Sequence, residues 1–414
     1  MTATTAPPTA APPPAVIWAK RHLFRSPFDA ALTVIFGTLA LYVAFRLARF
    51  VLVTARWDII ATNLKLLMVG NWEAVHLPRI AISLSVLTTL GGLIAGLIHA
   101  RQVRRGTAVG MKLSLRRIGD LTRRFGLLVA TVLLLLALTS TAGPWLMVAG
   151  VVAGGILGRV AGGWLGQRRY RPSVAVAGVV AMALVPVALY RYLVDAVPLA
   201  EWEGFFFNIS AAMAGIFLCF PLGVLLALGR RSKMPLLRTM ATVYIEIVRG
   251  SPLFVLLLLA NVSLEFFVPA SIAPSKTVRA IVVFTIFTAA YLAEIVRGGL
   301  QSVPVGQEEA AKSLGLSPFT QMTRIVLPQA LRNVIPAQIG QFISLFKDTT
   351  LAGLGLGILD MLTVSDAITQ QPGFVGQRLI IETLTFTAFL FWVGSFTMSR
   401  ESQRLERKLG VGTR

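Results

Sequence analysis

Acidic residues, histidine and cysteine are all scarce in this chain. Across 414 residues, 18 Asp and Glu stand against 39 Lys and Arg, a formal net charge of +21. The single cysteine, Cys219, excludes a disulfide within the chain. The histidines, His22, His76 and His99, are too scattered to share a metal, and no Ser/His/Asp constellation marks a catalytic centre. Charged residues of either sign make up only 14% of the chain and hydrophobic ones 55%. That balance leaves two or three soluble domains or one membrane body.

The apolar residues decide between them. They fall in runs of about 18–25 with few charges, the length that crosses ~30 Å of hydrocarbon at ~1.5 Å per residue. AALTVIFGTLALYVAF from Ala30, GLLVATVLLLLAL from Gly126 and IFLCFPLGVLLALG over Ile216–Gly229 are examples. The positive charge on its own suggests nucleic acid. Here Lys and Arg gather between the apolar runs, as the positive-inside rule requires, so a lipid membrane and no nucleic acid is expected. The opening MTATTAPPTAAPPPA is rich in Pro, Ala and Thr and reads as disordered. It has no basic n-region leading into a short apolar run, so it does not read as a signal peptide.

The chain is therefore expected to be an all-α integral membrane protein with about ten transmembrane helices. They are placed at 30–53, 79–100, 125–141, 144–165, 173–194, 205–228, 245–267, 278–297, 334–352 and 379–399. The connections alternate. One set is basic: Lys20, Arg21 and Arg25, then RQVRRGTAVGMKLSLRRIGDLTRR (101–124), RRYR (168–171), RRSKMPLLR (230–238) and RESQRLERK (400–408). The set near 142, 195–204, 268–277 and 355–377 is nearly free of Lys and Arg, and only the connection 54–78 departs mildly, with Arg56 and Lys65. This alternation places both termini in the cytoplasm, together with Gln307–Arg332. Glycines at 150, 154, 158, 162 and 166 form a flat ridge for close helix packing. EIVRG occurs twice, at Glu246–Gly250 and Glu294–Gly298, antiparallel in this topology. In each copy Glu and Arg are three apart on one helix face, which suits an ion pair at an interface.

The stretch QEEAAKSLGLSPFTQMTRIVLPQALRNVIP, Gln307–Pro336, is polar amid these runs. Gln307–Leu314 is rich in helix formers, and Gly315 stands where a left-handed residue would end a helix. Ser317 then caps a second helix with Pro318 at its first position. That second helix is not expected to run cleanly through Pro328, whose ring clashes with the preceding turn. A compact helical hairpin should project from the membrane, with Ala310, Ala311 and Leu314 as a small apolar face.

Glu309-Ala310-Ala311, three residues, Gly315, nine residues, then Ile325-x-Leu327-Pro328 resembles the EAA loop of ABC importer permeases. The resemblance extends over about 200–402. PLGVLLALGRRS (221–232), YIEIVRGSPL (244–253), AAYLAEIVRGGLQSVPVGQEEAAKSLG (289–315) and LFKDTTLAGLGL (345–356) are similar to the polar amino-acid branch. The long N-terminal half is most similar to the general L-amino-acid permeases. The resemblance implies four regions: a disordered cytoplasmic N-terminus (1–28), an N-terminal membrane extension (29–199), a transmembrane domain of type I importer fold (200–402) with its EAA loop at 307–328, and a cytoplasmic tail (403–414). It implies an L-amino-acid importer permease of a bacterial inner membrane, working by alternating access. Its partners would be cytoplasmic ABC ATPase subunits, a second homologous permease making a heterodimer, and an extracytoplasmic amino-acid-binding protein.

By the same resemblance Gln307, Glu308, Glu309, Ala310, Ala311, Gly315, Leu327 and Pro328 would meet the ATPase. The chain has no G-x-x-x-x-G-K-[ST] phosphate loop, so ATP and Mg2+ are expected on the partner, with no cofactor or enzymatic role in this chain. Polar residues set in the apolar runs, Asn261, Glu265, Thr288, Gln338, Gln341, Lys347 and Asp348, are the candidate substrate pathway. Lys347 and Asp348 sit within a span, where charges are costly and face protein or water. They can meet a substrate's α-carboxylate and α-ammonium, or belong to a network around a helix break before Gly353, Gly355 and Gly357. The alternative class is an ion-gradient-driven secondary transporter, which would line a midplane ion path and need no docking knob.

Overall fold

A computed structural model describes residues 18–19, 21–104, 115–139, 142–167, 178, 184–185, 187–269 and 271–410 of the chain. Contacts divide the chain into two units, Met1–Trp57 and Asp58–Arg414. Of the stretch 1–28 expected to be disordered, residues 1–17 and 20 lie outside the described residues, as does RRYR at 168–171, while Pro27 and Phe28 already belong to a helix.

The first unit holds one apolar helix, α1 (Pro27–Arg49), continued by a π turn over Phe50–Thr54. Its start is written locally. Ser26 is extended and its hydroxyl accepts from Asp29 N at 3.1 Å, while Pro27 takes the first helical position, where no N–H is needed.

The second unit begins with α2 (Asp58–Val69), then α3 (Leu77–Arg104), α4 (Leu115–Ala137) and α5 (Gly143–Leu165). It continues with α6 (Gly204–Arg230), α7 (Pro235–Gly250), α8 (Leu253–Val262) and α9 (Lys276–Ser302). The polar stretch contributes α10 (Val305–Ser313), α11 (Pro318–Gln321) and α12 (Leu327–Asn333). After it come α13 (Ile335–Asp348), α14 (Leu351–Leu356), α15 (Met361–Ala367) and α16 (Ile380–Leu409). Among the described residues, six helices are long and apolar enough to cross a membrane, and one bent pair adds a possible seventh.

The spans differ from expectation in identifiable places. The run 245–267 is not one helix: α7 and α8 meet at 100°. Ser251 is extended there (φ −95°, ψ 138°) because the following Pro252 disfavours helical geometry before it. The run 334–352 is also broken. The 14 residues of α13 reach about 21 Å, short of the ~30 Å hydrocarbon, before Thr349 and Thr350 turn the chain into α14. In α4 a non-helical Phe125 (φ −111°, ψ 19°) separates the basic stretch from the apolar run that ends at Ala137. The run 173–194 lies mostly outside the described residues. At the far end α16 runs past Ser402 to Leu409, supported by Glu401–Arg404 and Ser402–Glu406 contacts, and stops at Gly410 with φ +65°.

Two packing devices build the second unit. The glycine ridge of α5 lies on α3 as the spacing predicts: a Cβ at Gly158 would fall 2.0 Å from Thr89 O, and one at Gly162 2.1 Å from Leu93 O. Backbones touch there, and Thr88 Oγ1 donates to Val151 O at 2.9 Å across the same contact. Elsewhere α6 and α9 carry the core. One cluster gathers Phe207, Leu257, Phe284, Leu345 and Leu356, and another Cys219, Ile245, Leu292, Val296 and Ala330.

The connection 54–78 contains a helix the sequence reading did not place. In α2 the residues Ile59, Ile60, Asn63, Leu64 and Leu67 are buried against α6, α15 and α16. Asn63 Oδ1 accepts from Gln371 Nε2 at 2.9 Å, and Gly204 (φ +59°) packs on Leu67 O.

Candidate functional site

The polar stretch is a helical hairpin. α10 ends at Ser313, and Leu314 N and Gly315 N donate back to Ala310 O and Lys312 O. Gly315 has φ +69° with open space where a Cβ would stand, so its backbone conformation alone requires glycine. Ser317 Oγ accepts from Thr320 N at 3.3 Å and Pro318 opens α11. The chain does not stop before Pro328. A π turn over Met322–Val326 widens the helix just ahead of Pro328, and helical backbone continues through it into α12.

The arms are tied by polar contacts. Gln329 Nε2 donates to Gln307 Oε1 at 3.3 Å, Asn333 Nδ2 to Ser302 Oγ at 2.9 Å, and Gln321 Nε2 to Leu316 O at 2.6 Å. Ala311 is buried inside the hairpin, Leu327 half-buried, and Gln307, Glu309, Ala310 and Pro328 exposed. Glu308 is half-buried and its Oε1 accepts from Arg231 Nη2 at 3.0 Å. Leu314 (76% exposed) and Phe319 (77%) flank the turn and leave a bare apolar tip on a polar element. Water disfavours such a tip, and a partner surface removes it from water.

The polar residues of the apolar runs do not form one cluster. Asn261 Nδ2 donates to Gly355 O at 3.2 Å, and its backbone carbonyl accepts from Arg279 Nη1, so both of these groups are spent on the fold. Glu265 lies outside the residues whose side chains are described. Thr288 on α9 and Gln338 on α13 are buried, and their Oγ1 and Nε2 have no partner among the described residues. Gln341 and Asp348 are half-buried and Lys347 is exposed.

The network around the helix break is built on residues other than that charged pair. Asn208, fully buried, donates from Nδ2 to Thr349 Oγ1 at 3.2 Å and accepts from Met361 N at 3.0 Å. Asp360, which the sequence reading passed over, caps α15 by accepting from Thr363 N at 2.8 Å. Burial pushes its carboxyl up to about 6.

The family model described as binding-protein-dependent transport system inner membrane component matches residues 219–411. An inner membrane amino-acid ABC transporter permease of Escherichia coli is 39% identical over 221 residues, covering 53% of this chain and 59% of that protein. A glutamate/glutamine/aspartate/asparagine transport system permease of Rhodobacter capsulatus is 39% identical over 225 residues, covering 52% of this chain and 51% of that protein. The chain thus spans about half the length of these two curated relatives. A probable glutamine ABC transporter permease of Bacillus subtilis is 33% identical over 205 residues, covering 50% of this chain and 91% of that protein. Among solved structures, an amino acid ABC transporter with histidines is 29% identical with a TM-score of 0.45, covering 52% of this chain and 96% of that one. With nine-tenths of the Bacillus permease covered at that identity, the chain belongs to the binding-protein-dependent transport system inner membrane component family.

Proposed function

We propose that this protein is the permease subunit of an ATP-driven importer that carries L-amino acids across a bacterial inner membrane by alternating access. The observation that carries the reading is the hairpin: a rigid, internally bonded polar element with an apolar tip at Leu314 and Phe319, formed where the EAA residues lie. Such an element suits the cleft of a moving ATPase. An ion-gradient carrier has no use for it, and the names of the relatives favour the importer. ATP and Mg2+ belong on separate ATPase subunits. A second, homologous permease completes the pathway as a heterodimer, and an extracytoplasmic binding protein delivers the amino acid.

In this reading both termini and the hairpin face the cytoplasm, 29–199 is an accessory membrane region, and 200–402 is the transporting domain. Gln307, Glu308, Glu309, Ala310, Ala311, Gly315, Leu327 and Pro328 seat the ATPase. Thr288 and Gln338, with buried polar atoms that no protein group answers, are the pathway residues the geometry favours over Asn261.

Gly315→Val places a β-branched residue at φ +69°, where a Cβ costs about 1–2 kcal/mol. Glu309→Lys reverses an exposed charge at the middle of α10, on the surface offered to the ATPase. Both variants should insert normally, lose ATP-driven uptake and retain less ATPase on co-purification. Wild-type uptake and ATPase recovery in both would refute the docking role.

A further inference from the structure

The two EIVRG copies meet. Glu294, in the second copy, accepts from Arg297 of its own helix, with Nε at 2.9 Å. Arg249, in the first copy, brings Nη1 to 3.8 Å from the same carboxylate. Between them stands Arg230, the last residue of α6, with Nη2 2.9 Å from Glu246 and Nη1 3.2 Å from Glu294. One guanidinium thus bridges a glutamate from each copy and pins the end of α6 to α7 and α9. The next residue, Arg231, turns the other way. Neighbours in sequence point to different sides of a helix end, and Arg231 reaches Glu308 in the first turn of α10 at 3.0 Å.

We propose that Arg230 and Arg231 are positioning residues that transmit displacement of the hairpin to the membrane helices. Arg231 holds the hairpin through Glu308, and Arg230 holds α7 and α9 through Glu246 and Glu294. The proposal rests on the coupling role of the hairpin and adds the route by which its movement is passed on. The apolar turn of the hairpin is free for a partner, while its first helical turn is fastened to the end of α6. A push on α10 must carry the end of α6 with it or break the Arg231–Glu308 pair. If α6 moves, Arg230 passes the movement to two further helices at one carboxylate cluster. All these side chains are partly exposed, so each pair adds little to stability and can break and re-form during a cycle. Their use is directional, since opposite charges at fixed helix ends set which ends travel together.

The test is a charge swap in the assembled complex, in proteoliposomes, with uptake and ATP hydrolysis measured on the same preparation. Arg231→Glu sets like charges against each other at Glu308 and should lower amino acid imported per ATP about fivefold, the upper range for an exposed pair. It should leave ATPase recovery and hydrolysis near wild type, a split that simple loss of fold would not give. Arg231→Lys, which keeps a positive charge opposite Glu308, should hold the ratio within about twofold of wild type, as a charge pair requires. Arg230→Gln, which unties Glu246 from Glu294 while Arg297 and Arg249 stay on Glu294, should lower the ratio without lowering complex recovery. A wild-type ratio in Arg231→Glu or Arg230→Gln, or an Arg231→Lys ratio as low as that of Arg231→Glu, overturns the relay. Because the ATPase still co-purifies in those outcomes, the docking role of the hairpin stands apart from this test.

Discussion

The glycine ridge of α5 allows a prediction whose sign changes between residues three apart. Gly158 faces α3 so closely that a Cβ would lie 2.0 Å from Thr89 O and 2.9 Å from Thr89 Cα. An ordinary contact begins near 3.4 Å, so Gly158→Ala must push backbone from backbone by about 1.4 Å. Neither side offers a flexible side chain to give way. A gap of ~0.5–1 Å already forfeits a quarter to a half of each dispersion contact, and overpacking of this kind costs about 1–3 kcal/mol. Gly155 lies on the same helix, yet its Cβ would meet Thr88 atoms at 3.8 Å, an ordinary contact. Gly155→Ala therefore keeps the packing and gains about 0.4–1 kcal/mol from the stiffer unfolded chain. Thermal unfolding of the detergent-solubilised protein, followed by tryptophan fluorescence, should put Gly158→Ala several degrees below wild type and Gly155→Ala level with it or above. Gly162→Ala, with Leu93 O at 2.1 Å, should repeat the Gly158 result. Equal melting of the 155 and 158 variants would mean the ridge is not a backbone contact.

That ridge was legible because a period of four is a local property of the chain. The hairpin was legible for the same reason: Gly315 and Ser317-Pro318 specify a left-handed stop and a capped start from within their own few residues. What escaped depended on distant partners. α2 has the buried set Ile59, Ile60, Asn63, Leu64 and Leu67, but its 12 residues are too short to span and carry Asn63 and Lys65, so it read as a connection. Only α6, α15 and α16 make it a core element. The bend at Gly250-Ser251-Pro252 had its punctuation in plain view, yet an uninterrupted apolar content masked it. In the site, the i, i+3 pairing of Glu294 with Arg297 followed from helix geometry, whereas the bridging place of Arg230 did not. Lys347 and Asp348 drew notice as charges in an apolar run. The fold instead closes the break with Asn208, Thr349 and Asp360, whose importance is burial, a quantity no single residue carries in sequence.

Three further outcomes follow. In a Cys219→Ala background, Ser313→Cys in the hairpin should resist an impermeant thiol reagent added to intact cells and Pro198→Cys should react; labelling of Ser313→Cys from outside would reverse the topology. Asp360 binds its proton more tightly folded, near pH 6, than unfolded, near 3.8, so stability should be greatest below about pH 4 for this group and fall as pH rises through 6; Asp360→Asn should flatten that part of the profile, and an unchanged profile would remove the assignment. The last concerns Thr288 and Gln338, where stability and transport should separate. Removing a buried polar atom that has a protein partner strands the partner and costs about 1–3 kcal/mol. Thr288 Oγ1 and Gln338 Nε2 have no such partner, so Thr288→Val and Gln338→Leu strand nothing and spare two polar atoms an unanswered burial. Both variants should melt at or slightly above wild type. Asn208→Leu, by contrast, strands Met361 N and should melt lower, although Thr349 Oγ1 keeps its bond to Phe346 O. If the unanswered atoms serve the amino acid in transit, uptake should fall in the two stable variants while ATPase recovery stays normal. Wild-type uptake in both, at unchanged stability, would take Thr288 and Gln338 off the pathway; lowered melting would show instead that the fold itself uses them.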